Sequence, residues 1–403
     1  NRITAASTQI DVKTAKAAMF PSLSFSTGQQ VVNRPYQETS SRVSGSEIIS
    51  SNSKTSYNGN YGLNASWTLY NGNKRLKTIQ QEKLNNQMAE LDVATSENNI
   101  QESIAQVYIQ ILYAAESVKV NENTLQVSIA QRDRGQELLN AGSIAKSDLA
   151  QLEAQVSTDR YQLVTAQATL EDYKLQLKQL LELDGENEMN IYLPVLSDEN
   201  VLLPLPAKKD VYMSALTLRP EIEASKINVE ASELGIDIAK AGYLPTISLS
   251  AGIGTNHTSG SDFTFGEQVK NGWNNSIGLS VSVPIFNNRQ TKSAVQKAKL
   301  QYETSMLSLL DEQKALYKTI ESLWLDANSA QQRYAAANEK LKSTQISYEL
   351  ISEQFNLGMK NTVELLTEKN NLLQAQQEQL QAKYMAILNT QLLKFYQGDQ
   401  LAI

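Results

Sequence analysis

Two hydrophobic patterns follow one another along the chain. In four short stretches apolar side chains alternate with small polar ones, and this period of two predicts β-strands. The first two stretches begin at Ser22 and Tyr61. The apolar positions of the other two are Ile247, Leu249, Ala251 and Ile253, and then Ile277, Leu279, Val281, Val283 and Ile285. Each predicted strand has about 10–12 residues, the length that a tilted strand needs to cross a bilayer.

The second pattern is a seven-residue repeat over much longer stretches. Its apolar positions include Ile104, Ile111, Val118 and Leu125, then Leu149, Val156, Leu163, Leu170 and Leu177, and later Leu366, Leu373, Leu380 and Ile387. A sustained heptad repeat predicts long helices that supercoil against neighbours. A helix from Asn73 to Leu139 would be roughly 100 Å long at 1.5 Å per residue, far more than a globular domain needs.

The order of these elements occurs twice. The phrase "AKAAMFPSLSFSTG" (15–28) returns as "AKAGYLPTISLSAG" (239–252), with seven of fourteen positions identical. At a spacing of 216, "YGLNASWTLYNG" (61–72) matches "IGLSVSVPIFNN" (277–288), and "ELLNAGSIAKSDL" (137–149) matches "EQFNLGMKNTVEL" (353–365). Chance similarity would not preserve both order and spacing, so the chain is predicted to contain two copies of one unit. The Ser-rich segment between the first two strands (40–60) is predicted to be an exposed loop.

The strand pattern alone leaves two kinds of sheet open. Aliphatic side chains on one face and small polar ones on the other fit a membrane β-barrel, but a half-buried soluble sheet alternates in the same way. Aromatic residues near the strand ends could form interfacial girdles; they include Tyr61, Trp67, Tyr70, Trp273 and Phe286. Four strands cannot close a barrel, and an open sheet edge cannot lie in lipid. If the sheet is in a membrane, several chains must share one barrel, and three chains would supply twelve strands.

The amino-acid composition makes several classes of protein unexpected. The chain of 403 residues has 7% aromatic residues, 18 Gly and 8 Pro, which favours long polar helices over a large core. A net charge of -7 without a basic patch makes a nucleic acid partner unexpected. There is no cysteine, and no run of 18 apolar residues that would predict a transmembrane helix. We also expect that Asn1 lies inside the first helix of the first copy.

No arrangement of residues typical of an active site was found, so neither an enzyme nor a bound cofactor is expected. His257 is the only histidine, and it lies in the polar segment "GTNHTSGSD". Asp262 and Glu267 are near it in sequence, yet a single histidine in a loop is far more often solvated surface than a metal ligand. The prediction is therefore that no metal is bound.

The motifs of the chain resemble those of the TolC-type outer-membrane efflux proteins over nearly its whole length. The resemblance rests on the duplicated "AKA-x-x-x-P" phrase, on "LRPEIEAS" (218–225), and on the turns "LLNAGSIAKSDL" (138–149) and "QFNLGMKNTVEL" (354–365). It implies an α+β membrane protein with four strands per chain, in which a homotrimer forms a 12-stranded β-barrel continuous with a long α-helical barrel and a mixed equatorial region.

The resemblance also implies a function and its partners. Such a protein is a passive channel in the outer membrane of a Gram-negative bacterium, in contact with outer-membrane lipid. It works with a periplasmic adaptor protein and an inner-membrane pump of RND or ABC type, in drug efflux or type I secretion. The expected segments are 1–20 (helix), 21–70 (first barrel hairpin), 71–184 (first helical hairpin), 185–213 (equatorial), 214–244 (helix), 245–286 (second barrel hairpin), 287–396 (second helical hairpin) and 397–403 (C-terminal).

The two turns between the long helices are the candidate sites. Gly142 and Gly358 are predicted to supply left-handed helix ends, and acids in the next helical turn would complement the helix dipole. The resemblance implies a gate at the periplasmic tip of the channel, formed by Asp148, Phe355, Lys360, Glu364 and Thr367. It also implies docking of the adaptor on Gly142, Ser143, Ile144, Gly358 and Met359.

The predicted gate differs from that of well-studied relatives. The resemblance implies that those relatives carry an arginine at the position of Lys360, a tyrosine at that of Phe355 and an acid at that of Thr367. A lysine pairs with a carboxylate less rigidly than an arginine does. The hypothesis is that Asp148 pairs with Lys360, and that this pair and a ring of Glu364 side chains hold the tip shut. The alternative function is a periplasmic coiled-coil scaffold or adaptor without a barrel, although a scaffold has no need of two-faced strands. Neither the exported substrate nor the pump can be inferred from the sequence.

Overall fold

The protein is described by a computed structural model that covers residues 1–36, 40–44, 47–51, 54–183, 191–194, 201–261 and 263–401. Within these ranges it forms eight helices and six strands. In chain order these are α1 (Arg2–Ala17), β1 (Ser22–Asn33), β2 (Ser40–Ser44), β3 (Glu47–Ser51), β4 (Thr55–Asn71), α2 (Lys74–Asn140), α3 (Lys146–Leu180), α4 (Lys208–Leu218), α5 (Pro220–Lys240), β5 (Thr246–Thr258), α6 (Phe265–Asn271), β6 (Asn274–Ser282), α7 (Gln290–Asn356) and α8 (Thr362–Gln397). The contacts divide the chain into two units, one formed by 1–91 with 224–309 and the other by 92–223 with 310–403.

The first unit contains an antiparallel sheet with the strand order β1-β4-β5-β6. Its register places the apolar side chains on one face, where Leu249 of β5 lies opposite both Trp67 and Leu279. The other face carries small polar side chains, such as Ser66 opposite Ser250. The predicted four strands and their two-faced pattern are thereby confirmed.

A β-bulge in β4 determines the face of the sheet on which Tyr70 lies. The pairing of β4 with β5 shifts between Thr68 and Tyr70, so Leu69 has no residue directly opposite. Tyr70 then lies opposite Ile247, on the apolar face with Trp67. An unbroken period of two from Trp67 would have turned Tyr70 to the polar face.

The strands differ in length from the prediction. β4 has 17 residues and is longer than expected, whereas β6 has nine and ends at Ser282. Val283 and Ile285 therefore lie outside the strand in which they were predicted. Pro284 stands between them and has no N–H to donate to a neighbouring strand, which is a physical reason for the early end.

The prediction of an exposed loop at residues 40–60 was wrong, and the corresponding connection of the second copy also contains a regular element. In the first copy β2 and β3 form a separate two-stranded sheet within residues 40–51. In the second copy α6 occupies part of the connection, and Thr264 and Glu267 form a capping box at its start. Thr264 and Glu267 have the spacing of a capping box, a signal that the sequence analysis did not use. Short elements such as these depend on local hydrogen bonds. The periodic pattern of apolar residues, which predicts the longer helices and strands, gives no sign of them.

Small polar contacts connect the helices of the first unit. Ser232 of α5 and Ser305 of α7 lie with their hydroxyls 2.8 Å apart, and Thr8 of α1 donates to Asn86 of α2 at 3.1 Å. Val12 is the only residue of α1 that is buried in the chain. Helices with few large buried side chains can approach closely through small residues. Their exposed apolar side chains can then pack against another surface.

The second unit has its core between the long helices. Leu112 of α2, Tyr334 of α7 and Leu388 of α8 belong to one buried cluster, and Val211 of α4 and Ile320 of α7 belong to another. Many predicted heptad positions are buried, among them Ile111, Leu125, Val156, Leu177, Leu373, Leu380 and Ile387. The heptad pattern therefore marks the packed faces of these helices, as predicted.

The "LRPEIEAS" motif has a structural role in the second unit. Arg219 is buried and pairs with Glu102 and Glu221, each at 2.9 Å, while its guanidinium lies 4.0 Å from the ring centre of Tyr396. Burial, with the carboxylate of Glu102 close by, raises the pKa of Tyr396 to about 12. Pro220 begins α5, where a missing N–H costs nothing. This cluster joins the start of α5 to α2 and to the end of α8.

The duplication is confirmed by the element bounds. Gln290, the first residue of α7, follows Lys74 of α2 by 216 positions, and the last residues Asn356 and Asn140 have the same spacing. α8 begins 216 positions after α3. Of the predicted equatorial segment 185–213, only 191–194 and 201–213 are among the described residues. No helix in the described part of the chain is both long and apolar enough to cross a membrane.

Candidate functional site

The first turn, defined as residues 141–145, joins α2 to α3 through a left-handed glycine. Gly142 has φ 75°, its N–H donates to the carbonyl of Leu139 at 2.9 Å, and Ser143 N–H donates to that of Leu138 at 2.8 Å. This hydrogen-bond pair is a Schellman motif, which satisfies the last carbonyls of α2. A Cβ added at Gly142 would meet no atom within 4 Å, so glycine is needed there for its backbone angle and not for space.

The second turn, residues 357–361, repeats this geometry between α7 and α8. Gly358 has φ 73°, and its N–H donates to the carbonyl of Phe355 at 2.9 Å. Met359 N–H donates to that of Gln354 at 2.9 Å, and the space around a Cβ at Gly358 is again open. The predicted left-handed helix ends at both glycines are confirmed.

The helices that follow the two turns begin differently. Asn361 accepts a bond from the N–H of Glu364 at 2.9 Å, and the Glu364 carboxylate accepts from the N–H of Asn361 at 3.2 Å, which completes a capping box. In the first turn Asp148 accepts from the N–H of Ala145 at 3.0 Å, but Ala145 has no side-chain oxygen to return the bond. Both acids therefore cap a helix, in addition to any role that they have at a gate.

Within the chain Lys360 pairs with Glu364, and the pairing with Asp148 expected at the assembled tip stays a prediction. Lys360 Nζ lies 2.6 Å from Glu364 Oε1, one helical turn away in the same chain, while Asp148 is engaged at Ala145. The hydrogen bond from Lys360, followed by that from the backbone of Asn361, lowers the pKa of Glu364. Within its own chain, Lys360 thus neutralises the acid that is predicted to form the ring.

The remaining residues of the predicted gate and docking turns have distinct surroundings. Phe355 is buried, with 3% of its surface exposed, and Thr367 donates its hydroxyl to the carbonyl of Val363 at 2.8 Å. Met359 is 71% exposed, and its neighbour Leu357 is 75% exposed. Ser143 is exposed and Ile144 is half-buried. The second turn therefore presents an apolar surface, whereas Phe355 faces the interior of its own unit.

A buried charged cluster in the second unit was missed by the sequence analysis. Lys369 of α8 donates to Asp159 of α3 and to Ser128 of α2, and the Ser128 hydroxyl donates to Asp159 as well. Lys369 is 3% exposed, and the other two residues are 1% exposed. The missed indication was that both charged residues stand at heptad seam positions, three residues after Val156 and after Leu366. Burial lowers the pKa of Lys369, and the Asp159 carboxylate opposes that shift.

The predicted aromatic girdle residues lie around the sheet. Trp67 donates its indole N–H to the carbonyl of Met19 at 2.7 Å, and the Tyr61 hydroxyl accepts from Gln29 at 2.9 Å. Tyr70 is half-buried on the apolar face. Trp273 and Phe286, outside the two ends of β6, are 56% and 83% exposed.

His257 was predicted to lie in a solvated loop, and this prediction was wrong. The residue lies in β5. Its ring is stacked on Tyr61 with 6.0 Å between centres, and Phe265 of α6 packs edge-on against it at 5.1 Å. Asp262, one of its two conceivable metal partners, lies outside the described residues, and Glu267 caps α6. Among the residues that the structure describes, no three His, Cys, Asp or Glu side chains form a group able to hold a metal ion.

The four-stranded sheet, the two long helical hairpins and their glycine turns define an α+β protein with an internal repeat. The chain belongs to the outer membrane efflux protein family, because the family model matches residues 2–182 and 211–398. The family description names efflux, which is transport and not catalysis. As predicted, this is an outer membrane protein of the type found in Gram-negative bacteria.

Individual relatives agree with this assignment. The chain is 24% identical over 294 residues to the outer membrane efflux protein BepC of Brucella suis, covering 72% of this chain and 61% of BepC. It is 24% identical over 296 residues to the outer membrane protein TolC of Escherichia coli, covering 71% and 58% respectively. The chain thus spans about three fifths of the length of these curated relatives. The solved structure of CusC superposes with a TM-score of 0.81 at 19% identity over 99% of this chain and 88% of CusC, which confirms the predicted TolC-type fold class.

Proposed function

We propose that three copies of this chain form a passive channel that carries solutes or proteins from the periplasm to the cell exterior. The observation that carries the proposal is the sheet of the first unit. Its outer strands β1 and β6 each have one edge without a partner strand in the described part of the chain, and its apolar face is exposed. Closing such a sheet into a barrel with copies of itself would pair every edge and turn the apolar face to lipid.

The exposure of the sheet supports a lipid-facing surface. Ile277 is 79% exposed, Leu279 65% and Leu23 70%, although all three belong to the apolar face of a regular sheet. A soluble scaffold would cover or lack such a surface, because large contiguous apolar patches promote association in water. Twelve strands from three chains would be enough for a pore, whereas the four of one chain cannot close.

The gate is proposed to lie at the two turns, in the periplasm. Asp148, Glu364 and Lys360 bring two acids and one base to the starts of α3 and α8, and Thr367 lies one turn beyond Glu364. Six such turns in a trimer would surround the entrance. Phe355 would contribute indirectly, by packing the end of α7 against its own unit.

The partners are proposed from the same turns. The exposed Leu357 and Met359, together with Gly358 and the corresponding residues 142–144, would form the surface on which a periplasmic adaptor docks. The name of the relative BepC refers to efflux, and a passive channel needs an energised pump in the inner membrane, of RND or ABC type. These partners and the trimer follow from the proposed channel function.

Conductance in planar lipid bilayers tests the channel. The purified chain is expected to migrate as a trimer after chemical cross-linking and to produce discrete conductance steps at nanomolar concentration. A chain that stays monomeric, dissolves without detergent and produces no steps would contradict the channel and favour the periplasmic scaffold.

A charge reversal tests the gate. Lys360→Glu removes the partner of Glu364 and adds a negative charge at the proposed entrance, so cation selectivity and single-channel conductance should both increase. Lys342→Glu, at an exposed position of α7, is the matched control for net charge. Equal conductance and selectivity in the two variants would contradict a gate at the second turn.

A further inference from the structure

The buried cluster of Ser128, Asp159 and Lys369 joins both copies of the duplicated unit. Ser128 and Asp159 come from α2 and α3 of the first copy, and Lys369 comes from α8 of the second. Lys369 is seven residues from the first residue of α8, so the cluster is two helical turns away from the second turn. Among the described residues it is therefore the buried charged contact nearest to the residues proposed as the gate.

Each hydrogen bond of the cluster has a defined donor and acceptor. Two N–H groups of Lys369 are used on Asp159 and Ser128, and the second carboxylate oxygen of Asp159 accepts from Gln155 at 2.9 Å. Lys369 also lines a pocket of about 120 Å³. Because these bonds exist only when α3 and α8 are in one register, sliding of α8 along α3 would leave two charges buried without partners.

The duplication supplies an internal comparison. The residue 216 positions before Lys369 is Glu153, which is exposed, and the residue 216 positions after Asp159 is Ala375, which is fully buried. At the equivalent place the same helical framework thus carries an alanine in the seam and no buried charge. The cluster is thus specific to one copy and is not a repeated feature of the duplicated unit.

We propose that Asp159, Lys369 and Ser128 are positioning residues of the channel gate, which fix α8 of the second copy against α3 of the first and hold the second turn in one position. This inference rests on the proposed channel function. An apolar contact would hold the two helices together with little preference for register, whereas the charged cluster selects a single register.

The test compares single-channel recordings of variants in planar bilayers. Wild type should spend most of its time at one conductance level. In Ser128→Ala, Asp159→Asn and the double variant Asp159→Leu with Lys369→Met, the time spent at other levels should rise, by about tenfold where a charge-assisted hydrogen bond is lost. The pair Glu153→Gln and Ala375→Ser changes the equivalent positions of the other copy and should behave as wild type.

The double variant separates positioning from stability. Replacing a buried ion pair by apolar residues of similar volume is often neutral or stabilising, so this variant should assemble as well as wild type on a gel. If it assembles and keeps the wild-type conductance levels, the positioning role is overturned. If Asp159→Asn does not fold, Ser128→Ala and the double variant still decide the question. A wild type without any conductance would contradict the channel itself, which is a different result.

Discussion

The two copies of the duplicated unit have the same helices but different polar contacts. α2 and α7 both have 67 residues, and both are followed by a left-handed glycine and a returning helix. The second copy starts its returning helix with a full capping box at Asn361, whereas the first starts it with Ala145. The comparison shows that helix length and turn geometry were retained after duplication, while hydrogen-bonded side chains diverged.

The buried charges show the same divergence. Lys369 and Asp159 pair across the two copies, and their equivalents Glu153 and Ala375 do not form such a pair. In the proposed channel, different chemistry at the two equivalent places would allow one helix contact to hold while the other moves. The predictions that follow change one copy and use the other as its control.

The largest effect is expected from Asp159→Ala, which leaves Lys369 buried without its counter-charge. The free energy of unfolding should fall by about 3–5 kcal/mol. The control Glu153→Ala removes an exposed carboxylate, and its effect should stay within about 0.5 kcal/mol. Urea unfolding followed by circular dichroism in detergent gives both values. A loss below 1 kcal/mol for Asp159→Ala would show that Lys369 finds other partners.

The same variant should acquire a pH dependence. Burial lowers the pKa of Lys369, and without the opposing Asp159 carboxylate it should fall further. Between that lowered pKa and the ordinary value of about 10.4 the unfolded chain binds more protons, so stability should rise with pH in this window. Asp159→Ala should therefore regain part of its lost stability from pH 7 to pH 10, relative to wild type at each pH. Parallel curves of unfolding midpoint against pH for variant and wild type would contradict this explanation.

The two glycine turns should respond equally to substitution. Gly142→Ala and Gly358→Ala each force a Cβ into a left-handed conformation, at a cost of about 1–2 kcal/mol in unfolding free energy. Gly266→Ala is the control, because Gly266 lies in α6 without a positive φ and its Cβ would also meet open space. Thermal unfolding of the three variants distinguishes backbone strain from crowding. Unequal losses at the two turns would show that one of them is not a rigid Schellman turn.

The smallest effect concerns the helix caps. Asn361→Ala should cost about 1 kcal/mol of unfolding free energy, because the Glu364 N–H loses its acceptor. Ala145→Asn in the first copy should recover about 0.5–1 kcal/mol, since Ala145 already has the extended backbone of an N-cap. Denaturant midpoints measure both changes. A gain from Ala145→Asn would show that the first copy lacks only the side chain, and no gain would show that its turn differs in backbone.

The sequence was informative wherever a feature depends on neighbours along the chain. The period of two showed which strand residues share a face, and the heptads showed which helix residues are buried. Its failures were of two kinds. The bulge at Leu69 and the early end of β6 depend on pairing with another strand, and the short elements β2, β3 and α6 lie in segments whose composition is that of loops.

By itself, the sequence determined the duplication, the four strands with their two faces, the long helices and the two glycine turns. These features follow from local periodicity and from backbone angles that only glycine adopts easily. Only the tertiary structure decided that Lys369 meets Asp159 from 210 positions away and Ser128 from 241 positions away. The reason is physical: a charged side chain takes the partner that the register of packed helices brings within reach, and that register is a property of the whole bundle.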